Sequence, residues 1–240
     1  MKNILVKSLY ELKSTNWSFR DRSNEPNLFS CYLEAHRTSL ASFKKHLKGE
    51  WEFIYITDNY DTIHQGLHRT FFEIYKIWKD NAPCNILYTD PDTMAIAPVD
   101  IWNRYQHFMM FNFSDPRSFY KPNKYQLKFS HFFNAGVRYF PATMSTAIWE
   151  QGLAMANEWD FDSYDTEQII LNHMFWNQGP RLSEVLLPKL NYQAPWMDPN
   201  EMWRQDLWNG VDIEECQIIH LHGSRGIEEK LRFMKSLSAL

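Results

Sequence analysis

The chain has few cysteines, no long apolar run and no basic excess, and each absence excludes a class of protein. Cys31, Cys84 and Cys216 are the only cysteines in 240 residues. Their number is odd and their spacing fits neither a zinc site nor a disulfide framework. Cys84 and Cys216 each open an apolar run, so they read as buried free thiols in a reducing, cytoplasmic setting. No run approaches the roughly 18 apolar residues that a membrane-spanning helix needs. The N-terminal stretch MKNILVKSLYELK is too short in its apolar part, and too often interrupted by charge, to read as a signal peptide. A net charge of −4 gives no electrostatic footprint for nucleic acid. Internal repeats, low-complexity tracts and long linkers are also missing.

What is present is the composition of an ordinary globular protein, 44% hydrophobic and 22% charged, long enough for one sizeable core. The 17 Phe, 12 Tyr and 10 Trp are mostly core by expectation. An aromatic excess also suits the C–H faces of sugars, but the count does not decide between the two.

Periodicity predicts strands over 3–11, 50–57, 85–89 and 93–97, and helices over 28–47 and 62–80. In the first helix Leu33, Leu40, Phe43 and Leu47 recur near one face. The polar stretch 13–27 reads as a loop. The order βαβαβ implies an α/β fold, a mainly parallel sheet with crossover helices, whose ligands bind beyond the carboxyl ends of the strands. Further on, 107–113, 132–140 and 215–222 read as strands, and 143–158, 165–178 and 226–237 as helices. Asp165 and Gln168 have the spacing of a capping box at the start of the 165–178 helix.

Asp90-Pro91-Asp92 follows the apolar run NILYT. Taken alone, the two carboxylates are either a strand-ending turn or a site for a hard divalent cation shared with a diphosphate. Phosphohydrolases of the haloacid-dehalogenase type also carry such a pair after a strand. They expect Thr or Val where this chain has Met94, and they expect the pair near the start of the domain. Three other blocks go with the pair. FFNAGV places Asn134, Ala135 and Gly136 inside an aromatic strand, where an isolated glycine marks a bulge or a close backbone approach. EQIILN puts Glu167, Gln168 and Asn172 on one helix. HLHGSRG ends a strand in His220 and His222, which share a face if the strand continues past Leu221.

Together, in this order, the four blocks resemble the GT-A-fold glycosyltransferases, most closely the glycogenin and lipopolysaccharide galactosyltransferase group. The resemblance covers nearly the whole chain. It departs from the group's pattern at Pro91, at Ile169 where an Asp is usual, and at Gly226 where a Lys is usual. It implies one domain over 1–240, with a nucleotide-binding half, 1–100, and a sugar and acceptor half, 101–240. It implies a sugar transfer from a nucleotide-diphosphate donor to a glycan, lipid or protein acceptor, with retention of configuration. A binding protein of the same fold without turnover is the alternative.

The resemblance also assigns roles. Asp90, Asp92 and His220 hold Mn²⁺ or Mg²⁺, with His222 as the competing third ligand. Gly223 lets the backbone approach the phosphates. Arg225 supplies the charge that the group's lysine gives, unless it is a solvated loop residue. Thr57 and Asp58, expected at the end of the second strand, lie at the nucleotide end, where Asp58 alternatively caps a helix or ends a turn. Lys76 reaches the donor or faces solvent. Asn134, Ala135 and Gly136 line the sugar, or merely form a bulge. Glu167 and Gln168 approach the anomeric carbon, with Gln168 also a candidate for the capping box. Acceptor contacts are expected from 107–130 and 178–210, where Trp196, Trp203 and Trp208 are candidates for stacking on a sugar.

Overall fold

The computed structural model describes residues 1–12, 28–60, 63–111, 132–159, 164–178, 188–194, 212–221 and 226–238. Two sheets organise it. The larger has strands β1 (Lys2–Leu12), β2 (Glu52–Tyr60), β3 (Cys84–Thr89), β5 (Met109–Met110) and β6 (Val137–Phe140), in the order β2-β1-β3-β6-β5. β1 pairs parallel with both β2 and β3, whereas β6 runs antiparallel to β3 and to β5. The smaller has β4 (Thr93–Ala95), β8 (Ile218–His220) and β7 (Tyr192–Gln193), in the order β4-β8-β7. The expected α/β class and its parallel βαβαβ start are present. The strands expected over 107–113 and 132–140 are much shorter, and of the runs expected at 93–97 and 215–222 the described strands β4 and β8 belong to a separate second sheet.

Helices α1 (Leu28–His46) and α2 (Ile63–Asp80) are the crossovers between parallel strands. In α2, Phe71, Ile74 and Trp78 fall on one stripe and are all buried. In α1 the buried face differs from the expected one. It is Ala35, Ser39 and Phe43, while Leu33 and Leu40 are half-buried. The small, polar face suits what lies beneath it, since β1 carries the fully buried Lys7, with its ammonium 4.9 Å from the centre of the Phe43 ring.

Helices α3 (Thr146–Glu158) and α4 (Tyr164–Asn177) complete the main core. Ser145 caps α3, its hydroxyl accepting from the Ala147 amide. Asp165 lies inside the first turn of α4 rather than at its N-cap, because the helix already begins at Tyr164. At the centre, Trp149 is fully buried, stacked on Phe140 at 4.9 Å and ringed by Phe71, Tyr75 and Trp78. The C-terminal helix α5 (Ile227–Ser238) packs on α1 and on the small sheet. There Ile227, Leu231 and Met234 join Met94, Tyr192, Ile219 and Leu221 in a second, smaller core. Cys84 and Cys216 are buried free thiols, as expected. Among the described residues, no helix is long and apolar enough to cross a membrane.

One glycine sets the spacing of α3 on α4. A Cβ at Gly152 would collide with Met174 Sδ and come within 3.0 Å of Phe71 Cζ. Glycine-to-alanine inside a helix normally stabilises by about 1 kcal/mol. Here overpacking costs about 1–3 kcal/mol and outweighs that gain. Gly152→Ala is expected to lower the melting temperature by a few degrees in thermal denaturation; an unchanged or higher value would show that α3 and α4 can separate freely.

Candidate functional site

The Asp90-Pro91-Asp92-Thr93 segment is a β-turn. The Thr93 amide donates to the Asp90 carbonyl at 3.3 Å and the Thr93 hydroxyl to the same oxygen at 2.7 Å. Proline at the second position presets the φ that such a turn needs, which gives a physical reason for Pro91. Three neighbouring segments hold the turn. Asp90 N–H donates to the Gly136 carbonyl at 2.8 Å, and Leu221 N–H donates to the Asp92 carbonyl at 2.9 Å. From below, the Lys7 ammonium donates to Thr89 Oγ1 at 2.6 Å, the Asp90 carbonyl at 3.1 Å and Thr93 Oγ1 at 3.4 Å. A buried ammonium with three protons thus has three oxygen acceptors. Burial still lowers its pKa to about 7, against the pull of Asp90 and Asp92.

Pairing of Thr93 with His220 brings β8 to the turn. His220 Nε2 lies 3.4 Å from Asp92 Oδ1 and 3.7 Å from Asp90 Oδ2, and the three side chains offer ligand atoms within 4.8 Å of one another. The other ring nitrogen fixes the tautomer. The Asn134 amide oxygen accepts from Gly136 N–H at 2.8 Å and from the Asn191 amide at 3.2 Å, so its orientation is determined. His220 Nδ1, 3.1 Å from that same oxygen, therefore donates to it. With Nδ1 as the donor, Nε2 is the ring nitrogen that faces the carboxylates, and its lone pair is the one that a metal ion there would take. The two carboxylates repel each other unless a positive charge lies between them, either a proton on Nε2 or a metal ion in its place. Two carboxylates and one imidazole within this distance could hold a divalent metal ion.

Charge on the two aspartates is unequal. Burial pushes the Asp90 carboxyl up to about 6, with Asp92 adding to the rise and His220 opposing it. Burial would raise Asp92 as well, but the Lys230 ammonium, and then His220, hold it far below the usual carboxylate range. Lys230, in the first turns of α5, donates to Asp92 Oδ2 at 2.7 Å.

Gly136 faces the same centre. A Cβ there would collide with His220 Cε1 and Nδ1 and lie 2.9 Å from Nε2. The close approach expected of this glycine is therefore to the histidine ring. Asn134 is buried, and its carbonyl oxygen is already engaged by three donors. Ala135 N–H donates to the Gln168 side-chain oxygen at 3.0 Å, which joins α4 to this segment. Glu167 is 4% exposed, and its carboxylate accepts from the buried Arg138 guanidinium at 2.6 Å. Arg138 lies over the Tyr88 ring at 4.1 Å, and Tyr88 Oη shares a 2.7 Å hydrogen bond with Ser8.

Asp90, Asp92, Asn134, Ala135, Gly136, Gln168 and His220 thus come together. Thr57 is exposed and, like the backbone of Asp58, lies inside β2 rather than at its end, because the strand continues to Tyr60. Lys76 is not brought to the group. It is exposed near the end of α2, the end that leads into the start of β3, whereas the aspartates follow the end of β3. His222, Gly223, Arg225, the Asp58 side chain and the tryptophans at 196, 203 and 208 fall outside what is described. Lys7, Lys230, Asn191 and Arg138 were not anticipated. A lone Lys7 within NILVKSLY and a lone Arg138 within GVRYF were the available signals, since a charge in a buried strand requires partners.

No family model and no curated protein matches the sequence. Solved structures match the fold. A glycosyltransferase involved in the glycosylation of the major capsid of PBCV-1 aligns at TM-score 0.57 and 12% identity, over 98% of this chain and all of that one. The galactosyltransferase LgtC, in complex with donor and acceptor sugar analogs, aligns at 0.52 and 14%, over 99% of this chain and 97% of that one. The glycosyltransferase GlyE of Streptococcus pneumoniae TIGR4 aligns at 0.53 and 14%, over 98% of this chain and 60% of that one. The chain has the GT-A glycosyltransferase fold, and the haloacid-dehalogenase-type alternative is set aside on that ground.

The contact between Gly136 and His220 can be isolated by a double-mutant cycle. Gly136→Ala is expected to cost about 1–3 kcal/mol by overpacking. In a His220→Ala background, where the obstructing ring is gone, it is expected to cost well under half as much. Equal costs in both backgrounds, read from urea denaturation, would show that the ring is not what excludes a side chain at 136.

Proposed function

We propose that the chain is a metal-dependent glycosyltransferase, transferring a sugar from a nucleotide-diphosphate donor to a glycan, lipid or protein acceptor with retention of configuration. The observation that carries this reading is the convergence of Asp90 Oδ2, Asp92 Oδ1 and a tautomer-fixed His220 Nε2 on a glycosyltransferase fold. These three residues would hold Mn²⁺ or Mg²⁺. When bound, the cation would neutralise the diphosphate and stabilise the leaving nucleotide as charge develops.

The remaining residues act by position. Asn134 orients His220, and Gly136 makes room for its ring. Thr57 and Asp58 serve the nucleotide end. The Gly223 backbone and the fork of Arg225 serve the phosphates. Gln168 Oε1, which accepts from Ala135 N–H, would present its second lone pair to the sugar, where it would favour positive charge developing on the ring. Glu167 acts through Arg138, as a positioning residue. A donor-binding protein without turnover is the second reading. It draws support from Ile169, which is buried where the resembling group carries an acid.

A thermal-shift panel of nucleotide sugars tests the proposal. A ligand at one hundred times its Kd stabilises by about 2.7 kcal/mol, which is a rise of roughly 5–10 °C for a chain of this size. The rise is expected with Mn²⁺ and a UDP- or GDP-sugar together, and it is expected to vanish in His220→Ala. No rise with any donor would sink the assignment. Binding without hydrolysis or transfer of any donor would favour the second reading, and NMR of the product anomer decides retention.

Protons compete with the cation for Asp90, whose pKa is raised to about 6. Mn²⁺ affinity is therefore expected to be full near neutrality and to fall about tenfold per pH unit below 6. A flat affinity between pH 7.5 and 5 would remove Asp90 from the ligand set.

A further inference from the structure

The structure assigns to Lys230 a role in making cation affinity conditional on the donor's diphosphate; the inference rests on the metal-dependent reading above. Asp92 divides its two oxygens. Oδ2 accepts from the Lys230 ammonium at 2.7 Å, and Oδ1 faces His220 Nε2 at 3.4 Å. The ion pair is well shielded, with the Lys230 side chain 12% exposed and that of Asp92 16%. Its position is fixed from both ends. Helix α5 is anchored on the small sheet through Ile227, Leu231 and Met234, and Asp92 is anchored through its carbonyl to Leu221.

Charge counting then gives the consequence. Asp90 and Asp92 bring two negative charges, which a divalent cation would balance. Lys230 adds one positive charge on the same carboxylate, and Lys7 beneath the turn adds to it whenever its ammonium is protonated, so the cation-loaded site carries a surplus of at least one. An ammonium this close to a divalent cation repels it, and a shielded location makes the repulsion large. Only an anionic co-ligand removes the surplus, and the diphosphate is the anion that the proposed donor carries. Cation and diphosphate therefore bind together, each raising the affinity of the other by the same factor.

The test is Mn²⁺ binding to the full chain, read by the loss of the free-ion EPR signal, with and without UDP or GDP. Wild-type protein is expected to bind Mn²⁺ weakly alone and at least about tenfold more tightly with saturating UDP. Lys230→Gln is expected to bind Mn²⁺ alone about tenfold more tightly than wild type, and to bind UDP more weakly at saturating Mn²⁺. Lys230→Arg keeps the charge and is expected to keep the wild-type pattern. The opposite signs of the two effects are what a purely structural lysine would not produce, because loss of order would weaken both. If Lys230→Gln binds Mn²⁺ no more tightly than wild type, the inference is overturned while the metal-dependent reading stands. If wild-type protein binds no Mn²⁺ with either UDP or GDP, that reading fails and the inference falls with it.

Discussion

The imidazole of His220 occupies the space where residue 136 would otherwise carry a side chain, and the rest of the site depends on that contact. Only a residue without Cβ lets β8 bring its histidine flat against the chain entering β6. With the ring there, Asn134 can reach Nδ1, and the same amide oxygen ties down Gly136 and Asn191. One acceptor thus connects three chain segments and sets the tautomer. The small sheet gains its purpose from this arrangement. β4 and β8 are too short to be stable alone, but their pairing puts Thr93 beside His220 and places the second carboxylate within reach of the first.

The Asp-Pro-Asp segment is both a turn and a charged site, and the two roles support each other. Proline stiffens the turn, while Lys7, Gly136 and Leu221 hold its backbone, so the carboxylates are fixed before any ligand arrives. They also oppose each other in stability. Asp90, raised to about 6, contributes stability that is present below the ordinary value of 3.8 and lost as pH rises through 6. Asp92 is depressed, so its contribution is present above 3.8 and lost as pH falls toward its own folded value. Near neutrality Asp90 is thus a destabilising anion and Asp92 a stabilising one, the kind of local cost that functional sites carry.

Much of this was legible in the sequence, for identifiable reasons. Strands β1 to β3 and the two crossover helices announce themselves by periodicity, and the Asp-x-Asp, Asn-Ala-Gly and His blocks, each ambiguous alone, took their meaning from the resemblance that their order carries. What sequence could not give was partnership between distant segments. Nothing in GIEEKLRFMK sets Lys230 apart from Lys235, which pairs instead with Glu34 on α1 at 2.5 Å. Asn134 reads as a sugar contact because the group's pattern says so, and the pattern does not show that its oxygen also holds His220. The 107–113 and 132–140 runs read as full strands because aromatic residues favour strands. Packing decided otherwise: Phe108, Phe111 and Phe133 are buried outside regular strands.

Glu167 has a structural partner that makes a catalytic test of it ambiguous. It sits beside Gln168 in a block that resembles a donor-site motif, it is buried, and it lies close enough to Asp90 to raise that residue's pKa slightly. Yet its carboxylate is the partner of Arg138, which is itself buried and packed on Tyr88. Removing one member of a buried ion pair strands the other charge, at a cost of about 3–5 kcal/mol. Arg138 lies on β6, whose pairing with β3 positions the Asp90 turn, so such a loss would spread directly into the site. A dead Glu167 variant would therefore not identify a catalytic acid. A group that acts on the sugar must be one whose loss removes turnover while the fold and the cation affinity remain. Gln168 meets that condition better: it is only half-buried, and its contact with Ala135 is a neutral hydrogen bond whose loss strands no charge.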